Sequence, residues 1–321
     1  MFGGVAIFER SAMNQAIPDV AVMPGKGRWK SLSAPQLERE YSPSSCIGGN
    51  YQPFIAAYQT QSRQAFLKCN AMGAKWQELR YGAKPAQRID LCIPAAKAQS
   101  SAKPGLLVFI HGGYWQALSA QDSLFAASGC IQRGLAFAAI DYSLAPQASV
   151  AEIVGECRAA LLCLVLQSVP MGFDSQNIVV AGSSAGAHLA AMVAWPGWLG
   201  AEGGATVRVR AAVLVSGIFD LEPLVGTSIN GALALDAGAA RKVSPMGLPL
   251  ADFPPTLVVW GAVETHEFKR QSREFAGALL AGGTPCETAE IPERNHFDVI
   301  LDLADANSWL GQRTFELFGA D

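Results

Sequence analysis

Asn177-Ile178-Val179-Val180-Ala181-Gly182-Ser183-Ser184-Ala185-Gly186 runs from an apolar, β-branched stretch straight into a serine set between two glycines. A strand that breaks directly into a helix turns so tightly that only small residues fit two positions either side of the turn. The residue at the turn takes a strained backbone and stands at the end of the sheet, where a serine hydroxyl can act as a nucleophile. Gly182, Ser184 and Gly186 fit that geometry. The pattern also arises by chance in a chain with 32 glycines, so its surroundings carry the reading.

Outward from this point, apolar runs rich in β-branched residues alternate with helical patterns. Strands are expected at Leu106 to Ile110, Ala136 to Tyr142, Asn177 to Ala181, Val209 to Ser216, Thr256 to Gly261 and Cys286 to Ile291. Helices are expected at Val150 to Gln167, Ala185 to Ala194, Glu267 to Ala281 and Phe297 to Phe318, with an earlier one from Asn50 to Cys69. Trp76 to Tyr81 and Gln87 to Ile93 read as an antiparallel pair leading into the sheet. The alternation implies an α/β fold with a mostly parallel sheet covered by helices on both faces. Ligands in such folds bind beyond the carboxyl ends of the strands. Residues 1–30 lack periodicity and read as a loosely ordered arm, and residues 31–321 as one domain. Within it, residues 219–255 interrupt the alternation and are expected to form a small cap.

The chain has 321 residues, 50% of them hydrophobic and 16% charged, enough for a large core. A formal charge of -3 without a long basic run argues against a nucleic-acid partner. Met1 to Arg10 holds only a short apolar patch that ends in Glu9-Arg10, unlike a secretion signal. Even Ala159 to Val169 ends at Pro170, short of the roughly 18 apolar residues that span a bilayer, so no membrane partner is expected. Seven scattered cysteines without a CxxC pair fit reduced thiols in a cytoplasm. Four histidines without HxxxH or HExxH spacing imply no metal.

His111-Gly112-Gly113-Tyr114-Trp115 follows the strand Leu106 to Ile110. When a serine attacks an acyl carbon, negative charge builds on the carbonyl oxygen and must be met by fixed N–H donors away from water. Glycines let the backbone come close enough to supply them. The expected donors are the N–H groups of Gly113 and Tyr114, with that of Ala185 at the start of the nucleophile helix. A serine also needs a base. His111 lies in the oxyanion loop and His188 one turn into the nucleophile helix, so both read as structural. That leaves His266 and His296. His296 follows the last strand, whereas His266 lies two residues from the best acid, so His296 is the expected base. Glu264 is the first carboxylate after the strand Thr256 to Gly261 and is the expected acid. Asp220 is the alternative acid, although an aspartate there also serves as a turn residue. Glu267, Asp298 and Asp302 read as helix-terminal groups, and Asp141 as a loop anchor.

These residues resemble those of kynurenine formamidases (arylformamidases), within the hormone-sensitive-lipase-like esterase branch of the α/β hydrolases. His111 to Trp115 matches the HGGxW signature of that group, where broader esterases carry HGGG. Leu37 to Ser44, Gly182 to Gly186, Glu267 to Ser272 and His296-Phe297-Asp298 match as well. Carried over by position, the resemblance implies a triad of Ser184, Glu264 and His296. Glu264 departs from the aspartate of many relatives, and Ser143 stands where the broader group has the arginine of DYRLAP. The resemblance implies the α/β-hydrolase fold, a small-molecule substrate, no cofactor, and hydrolysis of N-formyl-L-kynurenine or a similar aryl formamide to formate and the aryl amine, a step of tryptophan breakdown.

An anilide nitrogen is a weak base, so esterase-type machinery can expel it once His296 donates a proton. His111, Gly112 and Trp115 are expected around the substrate pocket, where Trp115 either narrows the acyl side to suit a formyl group or packs beneath the loop. Two other functions stay open: a carboxylesterase for short acyl or aryl esters, and a non-catalytic receptor on the same fold. The oligomeric state stays open, with an exposed last strand or final helix as a surface that could support a homodimer.

Overall fold

The computed structural model describes residues 27–95, 103–198 and 207–319. Most of the arm expected over residues 1–30 therefore lies outside the described residues. Eight strands, β1 (Lys75–Arg80), β2 (Arg88–Ile93), β3 (Leu106–Ile110), β4 (Ala136–Ile140), β5 (Ile178–Ser183), β6 (Val209–Val215), β7 (Thr256–Val263) and β8 (Cys286–Asn295), form one sheet. Their spatial order is β1-β2-β4-β3-β5-β6-β7-β8. β2 runs antiparallel to β1 and to β4, and the other neighbours are parallel. Every residue of β3, β4 and β5 is buried, as expected of parallel strands covered on both faces.

The helices are α1 (Ala34–Glu40), α2 (Gln52–Ala71), α3 (Ala127–Gln132), α4 (Val150–Met171), α5 (Ala185–Ala194), α6 (Asn230–Leu233), α7 (Ala237–Lys242), α8 (His266–Ala281) and α9 (Trp309–Glu316). Residues of α4, α5 and α8 pack into one core layer with Val108, Val180, Leu214 and Val258 of the sheet. Residues of α2, α3 and α9 pack on the opposite face with Leu107, Val179, Val213 and Leu257. The alternation of neighbouring strand residues between the two layers is the period-two pattern of a pleated sheet.

Two expectations need correction. The helix expected from Phe297 to Phe318 is broken into a 3-10 segment, Val299–Ala304, and α9. Between them Ser308 Oγ donates to the carbonyls of Asp302 and Asp305 (2.5 and 2.8 Å) and accepts from Gly311 N (2.9 Å), starting a new helix. A Cβ on Gly311 would lie 2.0 Å from the Asp305 carbonyl oxygen, so this packing requires glycine. β8 continues past Ile291 through Pro292 to Asn295. A proline lacks an N–H, which an edge strand tolerates because one side of its ladder has no neighbour.

Residues 219–255 form two 3-10 turns together with α6 and α7. Gln271 of α8 ties their start down, accepting from Phe219 N and Asp220 N and donating to the Asp220 carbonyl, each at 2.7 Å. The loops after β3, β5, β7 and β8 leave parallel strands at the same edge of the sheet, and the candidate site lies there.

Candidate active site

Ser184 joins β5 to α5 with φ 58° and ψ -122°, a conformation rare for a residue with a side chain. Both flanking glycines are required by contact. A Cβ at Gly182 would lie 2.2 Å from the Gly186 carbonyl oxygen, and one at Gly186 would lie 2.1 Å from that of Ile110. The Ser184 N–H donates to the Val215 carbonyl of β6 (2.8 Å), which fixes the strained residue to the sheet.

The loop after β3 has three consecutive left-handed residues, Gly113 (φ 94°), Tyr114 (φ 52°) and Trp115 (φ 59°). A Cβ on Gly113 would meet the Ala117 carbonyl oxygen at 2.3 Å. The Gly113 carbonyl is turned inward, accepting from Gln116 N and Ala117 N (2.9 and 3.0 Å). Among the described residues, the N–H groups of Gly113, Tyr114 and Ala185 have no protein acceptor. Gly112, Gly113, Tyr114 and Ser184 all line one cavity.

His296, which lines the same cavity, has its Nδ1 3.1 Å from Glu264 Oε2. The Glu264 side chain is wholly buried, and its Oε1 accepts from Gly261 N and Ser216 Oγ, both at 2.6 Å. With Nδ1 bound to a carboxylate, the imidazole carries its proton there and leaves Nε2 as the basic nitrogen. Phe268 contacts the ring edge-on (4.4 Å between centroids) and limits its rotation. Ser184 and His296 face the same cavity, although no hydrogen bond joins them in this conformation. His266 is exposed. Asp220, the alternative acid, instead accepts from the N–H of Glu222 (3.1 Å), as a turn residue does.

The cavity has a volume of about 470 Å³. Its inner wall carries Phe109, Phe125 and Leu118, and its roof comes from the chain between Tyr41 and Tyr58. From residues 219–255 only Ile229 lines it, and no Lys, Arg, Asp or Glu does so among the described residues. Tyr51 and Phe54 stack on Phe297, the neighbour of His296 (5.6 and 5.7 Å between centroids). The Tyr58 hydroxyl donates to the Phe297 carbonyl.

Of the residues expected around the pocket, Gly112 lines it, whereas His111 and Trp115 do not. His111 is buried and stacked on Tyr142 (4.1 Å between centroids), with Asp141 3.4 Å from its Nε2. Trp115 is fully buried, and its indole N–H donates to His188 Nδ1 (3.2 Å). His188 is therefore the Nε2–H tautomer and donates to the Val243 carbonyl (2.7 Å). Burial pushes the His188 pKa down to about 4, so the ring stays neutral. Trp115 thus links the loop after β3 to α5 and, through His188, to the segment after α7.

Glu267 lies in the first turn of α8, as expected, and has further partners. It is buried, accepting from Tyr41 Oη (3.0 Å) and from Arg270 Nε and Nη2, while Glu40 accepts from the first-turn N–H of Glu267 (3.0 Å). Ser143 and Lys84 share the buried Glu156 carboxylate, so an exposed lysine supplies the positive charge near this position. Ser216, Tyr41 and the roof aromatics escape sequence reading. They lie 48 or more residues from their partners in the chain, and although Tyr41 falls in the matching stretch Leu37 to Ser44, no local pattern announces the contacts.

The BD-FAE family profile matches residues 89–279. The chain is 30% identical over 298 residues to a kynurenine formamidase of Danio rerio, covering 91% of this chain and 98% of that protein. It is 28% identical to the kynurenine formamidase of Salmo salar, with 91% and 99% covered. Among solved structures, a candidate thioesterase from Silicibacter sp. tm1040 superposes with a TM-score of 0.72 at 29% identity, over 86% of this chain and 97% of that one. Esterase B of Lactobacillus rhamnosis superposes with a TM-score of 0.65 at 20% identity, over 83% and 96%, a likeness of fold. With the profile matching more than half of the chain and such likeness along nearly the whole of both sequences, the chain belongs to the BD-FAE family and to the kynurenine formamidases.

Proposed function

We propose that the protein is a serine hydrolase that cleaves the formamide of N-formyl-L-kynurenine, or a similar aryl formamide, to formate and the aryl amine. The Ser184 hydroxyl attacks the formyl carbon while His296 Nε2 takes its proton. The oxyanion that forms accepts from the N–H groups of Gly113, Tyr114 and Ala185. His296 then gives its proton to the aryl nitrogen, the C–N bond breaks and the amine leaves. Water, deprotonated by His296, attacks the formyl ester on Ser184 and releases formate. Glu264 holds the Nδ1–H tautomer and stabilises the imidazolium at each transfer.

The observation that carries this reading is the buried Glu264–His296 pair, whose imidazole lines the same cavity as the strained Ser184 turn. The substrate follows from family membership and from aromatic walls that suit an aryl leaving group. The reaction belongs to tryptophan catabolism, and seven free thiols fit a cytoplasmic enzyme. The neutral, largely apolar cavity also suits a carboxylesterase. Formate release from N-formylkynurenine, set beside hydrolysis of p-nitrophenyl acetate and butyrate, separates the two. A higher kcat/KM for the formamide, abolished in Ser184→Ala, is the expected result. Ester turnover without formate release would assign the esterase activity instead.

A further inference from the structure

Tyr114 and Trp115 are bulky residues held in a backbone region that favours glycine, so other contacts must pin the loop. Trp115 is held by His188, as described above. The Tyr114 hydroxyl donates to the main-chain carbonyl of Tyr41, 73 residues earlier, at 2.5 Å. Tyr41 is itself fixed, since its hydroxyl donates to Glu267 Oε2 (3.0 Å) and accepts from Gln271 Nε2 (2.9 Å). Next to it, the Glu40 carbonyl accepts from Thr265 Oγ1 (2.6 Å), and the Glu40 carboxylate accepts from Glu267 N (3.0 Å). Thr265 directly follows Glu264. One short segment therefore ties the oxyanion loop to the start of α8, which carries Phe268 against the His296 ring.

We infer that Tyr114 and the Glu40–Tyr41 segment are positioning residues that set the oxyanion N–H groups in register with the acid–base pair. The inference rests on the proposed serine-hydrolase reading and adds the N-terminal segment to its machinery. The Tyr114 N–H can meet a developing oxyanion only while its residue stays left-handed. Removing the hydroxyl frees the side chain, and the loop relaxes toward conformations that turn this N–H away. Substrate binding depends mainly on the cavity walls and changes little. Transition-state binding weakens. The bulk at position 114 thus serves to reach the Tyr41 carbonyl.

The wild type is first treated with a fluorophosphonate. Absence of a Ser184 adduct would sink the hydrolase reading itself and is scored before any variant. With labelling in hand, Tyr114→Phe is expected to lower kcat about 10- to 100-fold, less than outright removal of an oxyanion donor. KM is expected to stay within about threefold, because the contact that is weakened in turn, from the Tyr114 N–H to the oxyanion, forms only in the transition state. Affinity for phenylboronic acid, whose serine adduct is tetrahedral, should fall in parallel with kcat/KM. Thr284→Val removes another buried hydroxyl, donated to the Leu250 carbonyl (2.7 Å), with neither residue lining the cavity, and should lower the melting temperature while leaving kcat unchanged. Should Tyr114→Phe fail to fold, Tyr41→Phe, which loosens the segment from α8, should show the same paired losses on a smaller scale. Unchanged kcat and boronate affinity in the folded variant, or a rise in KM at constant kcat, would overturn the inference.

Discussion

Glu264 uses the length of its side chain. Oε1 turns back to Gly261 N and Ser216 Oγ, and Oε2 alone faces His296. An aspartate on this backbone lacks one methylene and cannot keep all three contacts. Glu264→Gln keeps the shape but replaces a carboxylate oxygen with either a neutral acceptor or a donor aimed at Nδ1. The tautomer is then wrong or weakly held, and kcat should fall on the order of 10³- to 10⁴-fold in steady-state assays. Ser216→Ala leaves Oε1 with one donor and should cost a smaller factor, with folding intact by circular dichroism. The placement of Ser184 and His296 on one cavity was legible because a nucleophile and its base are expected after particular strands. Ser216 was not, since its role depends on where β6 ends beside β7 and on a left-handed φ of 51° that nothing local in the sequence requires.

At the scale of elements, the turn from β5 into α5 is the least forgiving. Gly186→Ala would drive a methyl into the Ile110 carbonyl of β3, so both strand spacing and the serine position must give way. Loss of fluorophosphonate labelling together with a lower melting temperature is expected, whereas labelling at the wild-type rate would contradict the close approach. Trp115→Phe deletes the donor to His188 and leaves Nδ1 buried without a partner. A loss of about 1–3 kcal/mol in urea unfolding is expected. The alternation of strands and helices was legible because each strand is a short apolar run bounded by turn residues. The end of β8 and the break before α9 were not. The first depends on β8 being an edge strand, the second on a contact between Gly311 and Asp305 that exists only after folding.

At the scale of the whole molecule, His188 makes stability depend on acidity. Its pKa is about 4 in the fold against an ordinary value of 6.5. Above pH 6.5 the ring is neutral in both states and adds no slope. Between pH 6.5 and about 4 the unfolded chain takes up a proton that the folded chain refuses, so stability falls on acidification. The full difference is about 3 kcal/mol. His188→Gln, which can still accept from Trp115 and donate to Val243, should flatten that part of the curve relative to wild type in denaturant titrations at pH 7, 5.5 and 4.5. An equal slope in both proteins would refute the assignment. The general fold was legible at this scale, but the cavity roof was not. The sequence pointed to residues 219–255, whereas most of the roof belongs to the chain between Tyr41 and Tyr58.

That roof closes through contacts of very long range, Tyr41 with Glu267 and Tyr58 with Phe297, 226 and 239 residues apart. A ribosome makes the two halves in the wrong order for early assembly. The earlier segment emerges and must wait, solvated, until the chain around residue 297 has been translated. Nascent chains halted between α5 and residue 297 should thus hold a formed β5–α5 turn yet hydrolyse nothing, which delays catalytic competence until Phe297 has emerged.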